Sequence, residues 1–228
     1  MDKNSREQLN AEARDYVYNL DLEFKFGCFK EHNADLCHQH GEFLESVQNN
    51  FADAFKIFKE NCEQRKHPDS CLKYAKYMIS DKERKAGAND IEKSLITSCE
   101  GAVPRACHYL SLFYYKRDGD KCKKKVEEYM KRACELHYGR SCWLLGAWYL
   151  GPVEGVEFVN GKKVRVNNVE VVERDAAKAL NYGIMGCELG VPQACSNVSR
   201  MYEIGDGIEK DSKKAKDFKE RARKFTRT

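Results

Sequence analysis

The spacing of the cysteines constrains this chain more than any other feature of its sequence. Ten of its 11 cysteines form five pairs, each separated by 8 or 9 positions. The first members recur at offsets of 34, 37, 35 and 53 positions. A fixed spacing that recurs about every 35 residues is typical of a repeat protein, in which each unit packs against its neighbours. The pairs are Cys28–Cys37, Cys62–Cys71, Cys99–Cys107, Cys134–Cys142 and Cys187–Cys195.

Each pair marks the junction between two predicted helices. After the second cysteine, in four of the five segments, large apolar residues return three and seven positions later, which is the spacing of one helix face. We call this segment helix A. Before the first cysteine, segments such as Ala54–Cys62 and Ala179–Cys187 predict a second helix, helix B. Turn-forming residues, such as His67–Asp69, lie between the two cysteines. The sequence therefore predicts a chain of antiparallel helical hairpins.

Two cysteines on either side of such a turn can reach the Cα separation of about 5.5 Å that a disulfide requires. We therefore predict five disulfides, one for each pair, and a free thiol at Cys122. The alternative is that the paired cysteines are small buried apolar residues in a reducing compartment. Zinc is disfavoured because the sequence contains no Cys-x-x-Cys motif. Cys122 lies in a lysine-rich helix start, which predicts a lowered thiol pKa and leaves thiol exchange open.

The repeated segments resemble a known family. The best copy is Gln193–Ala215, which reads Gln-Ala-Cys-Ser-Asn-Val-Ser-Arg-Met-Tyr-Glu-Ile-Gly-Asp-Gly-Ile-Glu-Lys-Asp-Ser-Lys-Lys-Ala. It resembles the Sel-one-like repeats, which are helical-hairpin relatives of the tetratricopeptide repeats. The flanking cysteines make the chain similar to the cysteine-rich subset that is labelled beta-lactamase-like. The resemblance covers about residues 15–225. The segment Asn61–Cys71 and the chain length are similar to animal mitochondrial members with five such repeats.

The pattern and the resemblance together imply an all-α fold. We expect one right-handed solenoid domain over residues 1–228, with disulfides joining its helical hairpins and a capping helix at about residues 6–30. Residues 151–172 interrupt the fourth repeat, and Asn160-Gly161 suits a two-residue turn, so we predict a small β-hairpin insertion there. The insertion is either a surface decoration or a partner contact. The predicted repeats are residues 34–66, 68–101, 104–137, 139–189 and 192–226.

The resemblance implies a non-catalytic scaffold that acts in the assembly of respiratory-chain cytochrome c oxidase. Its partners would be protein clients, either oxidase subunits or other assembly factors. The alternative is a thiol–disulfide reductase, or a haem-binding protein, that acts on the copper-site cysteines of an oxidase subunit. No cofactor is expected to be required, and haem at His108 is the weaker option. On a concave solenoid surface, aromatic residues of the A helices are the natural partner anchors. They are Tyr74, Tyr77, Phe113, Tyr114, Trp143, Trp148 and Tyr202.

Several other functions find little support in the sequence. The net charge of +4, from 40 basic and 36 acidic residues, is too small and too mixed to indicate nucleic-acid binding. No apolar stretch approaches the roughly 20 residues that cross a bilayer, so we expect no membrane insertion. Ser70 and Lys73 match the Ser-x-x-Lys motif of serine β-lactamases, but the accompanying Ser-Asp-Asn and Lys-Thr-Gly motifs are absent. We expect a monomer without lactamase activity.

The expected location follows from the predicted disulfides. Disulfides persist in oxidising compartments. The first ten residues have neither the apolar core of a secretory signal nor the composition of a mitochondrial presequence. The mitochondrial intermembrane space is consistent with both observations, and the resemblance implies the same place. The cytosol is the rival location, and it predicts free thiols throughout.

Overall fold

The computed structural model describes residues 3–80, 87–151, 155–159, 162–166 and 171–226. The chain divides into two compact units, Met1–Gly101 and Ala102–Thr228. In the first unit, successive helices pack against one another along the chain. These helices are α1 (Lys3–Phe29), α2 (Ala34–Ser46), α3 (Phe51–Arg65), α4 (Pro68–Ser80) and α5 (Ala88–Glu100).

The second unit continues the same pattern and contains the insertion. Helices pack in the pairs α6–α7, α8–α9 and α10–α11. The insertion contributes two antiparallel strands, with Val159 opposite Lys162. The predicted turn residues between them, at positions 160 and 161, lie outside the described residues. The elements are α6 (Pro104–Asp118), a 3-10 turn (Gly119–Cys122), α7 (Lys123–Glu135), α8 (Gly139–Tyr149), β1 (Gly155–Val159), β2 (Lys162–Val166), α9 (Ala176–Glu188), α10 (Pro192–Ile204) and α11 (Ser212–Phe225).

The predicted class, an all-α fold of helical hairpins, is confirmed. A small residue lies four positions after the second cysteine of each pair, and at four of these five positions helix A contacts the following helix B. A Cβ atom on Gly146 would lie 3.1 Å from the carbonyl oxygen of Ala179. At the equivalent position Ser199 donates a 2.7 Å hydrogen bond to the carbonyl of Ala215. The residues at this position are Gly41, Ala75, Ser111, Gly146 and Ser199.

A second repeated feature of the second unit is a layer of two aromatic rings and a lysine between helix A and helix B. Seven positions after the second cysteine, a tyrosine of helix A contacts an aromatic ring of helix B, at centroid distances of 5.7 to 6.0 Å. A lysine four residues before that ring lies 5.2 Å from the centroid of the tyrosine. Such layers bury aromatic area and add a cation–π contact. The three layers are Tyr114–Tyr129–Lys125, Tyr149–Tyr182–Lys178 and Tyr202–Phe218–Lys214.

Candidate functional site

The disulfides are buried, and each of the following four joins the end of a B helix to the start of the next A helix. Cys28–Cys37, Cys62–Cys71, Cys134–Cys142 and Cys187–Cys195 are bonded, with Cα separations of 4.4 to 4.8 Å. Cys99 and Cys107 are also disulfide-bonded. None of these ten cysteines is more than 5% exposed. Because thiol–disulfide exchange requires a thiolate to reach a sulfur atom, burial protects these bonds from exchange.

The free cysteine, Cys122, lies at the end of the 3-10 turn and is partly exposed. Desolvation raises its pKa, and its hydrogen bond to the carboxylate of Asp118 raises it further. Lys125 and Arg117 lower the pKa, but by less. The prediction of a lowered thiol pKa was therefore wrong, because it overlooked the desolvation of the thiol and the carboxylate four residues away. A thiol with a raised pKa is mostly protonated at neutral pH and is a weak nucleophile.

A polar network in the first unit connects helices of successive repeats. Asn61 donates a 2.8 Å hydrogen bond to Ser70 Oγ, which lies 3.0 Å from His38 Nδ1. His67 Nε2 lies 3.0 Å from a carboxylate oxygen of Asp35 and stacks on His38. Burial lowers the pKa of His38. Ser70 and Asn61 are fully buried, so this part of the network lies in the contact between repeats, whereas His38 and His67 are partly exposed.

The Ser-x-x-Lys match in the same region has no catalytic geometry. Lys73 Nζ lies 2.5 Å from a carboxylate oxygen of Glu45 and 3.3 Å from one of Glu42. Its charge is therefore directed to carboxylates of α2. Ser70 instead bonds to His38 and Asn61. This arrangement supports the rejection of a lactamase mechanism, which requires an accessible serine.

His108 occupies the matching position in the second unit. Its Nδ1 atom lies 2.8 Å from Ser141 Oγ, as His38 lies beside Ser70. The imidazole is only 5% exposed. Burial, followed by the charges of Arg140 and Arg105, lowers its pKa to about 4. No cluster of three or more metal-ligating side chains occurs in the described part of the chain. Haem ligation by His108 stays a prediction.

The predicted aromatic anchors occupy different environments. Tyr74 and Tyr114 belong to the core, with 6% and 2% of their surface exposed. The other five are half-buried. Four of these contact another aromatic side chain, and Trp143 packs on the cluster that contains the Cys187–Cys195 disulfide. The half-buried residues are Tyr77, Phe113, Trp143, Trp148 and Tyr202.

The first unit presents an apolar surface that the sequence reasoning missed. Tyr18, Leu22, Phe26 and Phe29 of α1 are 47 to 64% exposed. They lie at intervals of four, four and three residues and therefore share one face of the helix. A cavity of about 620 Å³ lies between α1 and α2, beside Tyr18. The same spacing was visible in the sequence and could have identified this face.

The second unit contains a groove between α8, α10 and α11. One cavity of about 600 Å³ is lined by Trp143, Ala147, Pro192, Gln193, Ser196, Asn197, Lys219, Ala222, Arg223 and Thr226. A second cavity of about 270 Å³ shares Ala147 and Asn197 with it and adds Leu150, Gly151, Arg200, Met201 and Asp206. We call the two together the C-terminal groove. Among the predicted anchors, only Trp143 lines it.

The chain is similar to several curated proteins over nearly its whole length, although no family model matches it. It is 30% identical over 224 residues to cytochrome c oxidase assembly factor 7 of Xenopus tropicalis, covering 95% of this chain and 90% of that protein. It is 32% identical over 222 residues to assembly factor 7A of Xenopus laevis, covering 93% and 88%.

A solved structure supports the fold. The crystal structure of a Sel1 repeat protein from Oxalobacter formigenes matches with a TM-score of 0.68. The match covers 93% of this chain and 83% of that one, at 20% sequence identity. At this identity the likeness shows the fold alone, which is the fold of the Sel-one-like repeats.

Proposed function

Because the chain belongs to the cytochrome c oxidase assembly factor 7 family, we propose that it acts in the assembly of cytochrome c oxidase by binding other proteins. The observation that carries the proposal is the similarity to relatives with this name across about nine-tenths of their length. A match of this extent includes all the cysteine pairs and both units of the chain. The partners would be oxidase subunits or other assembly factors, and the chain would act as a monomer.

The buried disulfides favour binding over catalysis. A thiol–disulfide reductase, the second candidate, requires an accessible dithiol and a thiolate of suitable pKa. In this chain the ten bonded cysteines are buried, and the pKa of Cys122 is raised. These observations support a structural role for the disulfides. Among the described residues, we take the exposed face of α1 and the C-terminal groove as two surfaces for partner binding.

We place the protein in mitochondria, and within them in the intermembrane space. The disulfides require an oxidising compartment, and small cysteine-paired helical proteins can be retained there by oxidation. None of the described helices combines the length and the apolar character needed to cross a membrane. Protease protection of fractionated mitochondria, together with thiol trapping in cells, tests this location. Fully reduced protein in the cytosol would contradict it.

A complementation experiment tests the function. In an animal cell line that lacks its own member of the family, the level of assembled cytochrome c oxidase should be low. Expression of this chain should restore it, as measured on native gels and by oxidase activity. A variant with Leu22→Ser and Phe26→Ser tests the exposed face of α1. Ile204→Ser is the matched control, because Ile204 is also exposed but lies in the second unit. Unchanged oxidase levels with and without the chain would refute the proposal.

A further inference from the structure

We infer that the C-terminal groove binds an acidic segment of a protein partner, with an apolar side chain of that segment in the cavity beside Trp143. The inference deepens the proposed function, on which it rests, because it assigns a surface and a class of partner. All the residues involved belong to the second unit.

The first support is the charge of the groove. Lys219, Arg223 and Arg200 line it, are exposed, and form no ion pair within the described part of the chain. Asp206 is the one acidic residue among the described lining residues, and it is already paired with Arg174. Three cations without counter-charges create a positive potential, which favours a negatively charged partner and speeds its association.

The helix that supplies two of these cations is strongly basic. Helix α11 contains seven basic and two acidic residues, a net of five positive charges, whereas the whole chain has a net charge of +4. The acidic residues, Asp217 and Glu220, do not belong to the groove lining. Lys219 and Arg223 are four residues apart and therefore project from the same face of the helix. Two of the seven basic residues of α11 therefore face the groove.

The walls of the groove favour a peptide over a small anion. Trp143, Ala147 and Pro192 supply apolar lining. Gln193 and Asn197 of α10, also four residues apart, add side-chain amides to the lining. These amides form no side-chain hydrogen bond within the described residues, so they are available to main-chain N–H and carbonyl groups. Apolar surface, amides and cations together match a peptide with acidic residues around an apolar one.

A binding measurement with the purified full chain tests the inference. The probe is a short fluorescein-labelled peptide, Glu-Glu-Leu-Phe-Glu-Glu. Its binding to the chain is measured by fluorescence anisotropy at low and at physiological salt. The comparison peptide has Lys in place of each Glu. The acidic peptide should bind, with an affinity that falls as salt rises. The lysine peptide should not bind.

Charge reversals in α11 distinguish peptide binding in the groove from non-specific electrostatic attraction to this helix. Lys219→Glu with Arg223→Glu should weaken binding of the acidic peptide by at least about tenfold. Lys213→Glu with Lys224→Glu is the matched control, since both lysines are exposed on the same helix but do not line the groove. The control should weaken binding by no more than about threefold. An equal loss in both variants would overturn the inference in favour of non-specific attraction.

A neutral substitution tests the cavity itself. Ala147→Trp places a large ring at the residue shared by both cavities, and it should abolish peptide binding at unchanged helicity. Undiminished binding by this variant would overturn the inference. The inference would also be overturned if anionic vesicles competed with the peptide and their binding depended on Lys219 and Arg223. The groove would then be a lipid site. Peptide binding is measured with the purified chain and without oxidase. A lack of peptide binding can therefore be distinguished from a lack of oxidase assembly in cells.

Discussion

Removal of one buried disulfide should lower the free energy of unfolding by an amount that depends on the length of the loop that the disulfide closes. Cys134 and Cys142 are both fully buried and lie eight residues apart. In the loop-entropy model, a bond that closes a loop of this length stabilises the native state by about 2.5 kcal/mol. Alanine is the suitable replacement at both positions, because serine would bury two hydroxyl groups without assured partners. We therefore expect Cys134→Ala with Cys142→Ala to lower the free energy of unfolding by about 2.5 kcal/mol.

The loss is measured by urea unfolding followed by far-ultraviolet circular dichroism, without reductant. For a chain of this size, the same change should lower Tm by roughly 5 to 10 °C. Cys122→Ala is the control, because Cys122 forms no disulfide. Its effect should stay within about 0.5 kcal/mol. If the double variant is no less stable than this control, the claim that the disulfides stabilise the hairpins is refuted.

Three further predictions concern single contacts. Gly146→Ala should destabilise the chain by about 1 to 2 kcal/mol in urea unfolding, because the steric cost of a Cβ atom close to the backbone of α9 exceeds the gain in helix propensity. A gain in stability would disprove the close approach. Ser199→Ala should cost about 1 kcal/mol, since the hydrogen bond from the buried hydroxyl to the Ala215 carbonyl is lost, whereas exposed Ser196→Ala should change stability little. The pKa of His108 is about 4 in the folded chain and about 6.5 when unfolded, so the unfolded state binds more protons between these values. Stability should fall as pH drops from about 6.5 to 4, and His108→Gln should reduce this slope; an unchanged slope would contradict the shift.

The repeat pattern made most of the helical architecture predictable. The second cysteines mark where the A helices begin, as in α4, which starts at Pro68 three residues before Cys71. Small residues such as Gly146 and Ser199 could be assigned to helix contacts because their positions recur relative to the cysteines. Local spacing is informative here because each hairpin is built from residues close in sequence.

The candidate site was much harder to predict, because it depends on contacts between distant segments. Trp143 and Lys219 line the same groove although 76 positions separate them. Helical spacing placed Tyr114 on helix A but could not show that Tyr129 covers it. The raised pKa of Cys122 comes first from desolvation and then from the hydrogen bond to Asp118, and both depend on how the 3-10 turn is packed. Side-chain exposure and pKa are set by packing, which sequence spacing reflects only in part.

Whether the chain acts by binding proteins is tested most directly by comparing the wild-type chain with Cys122→Ser in cells that lack their own family member. If the chain acts by binding proteins, both forms should restore assembled cytochrome c oxidase to the same level on native gels. A thiol reaction at the free cysteine would instead make restoration depend on Cys122. Failure of the wild-type chain to restore the oxidase would contradict the assembly role, and loss of restoration by Cys122→Ser alone would contradict the binding mechanism.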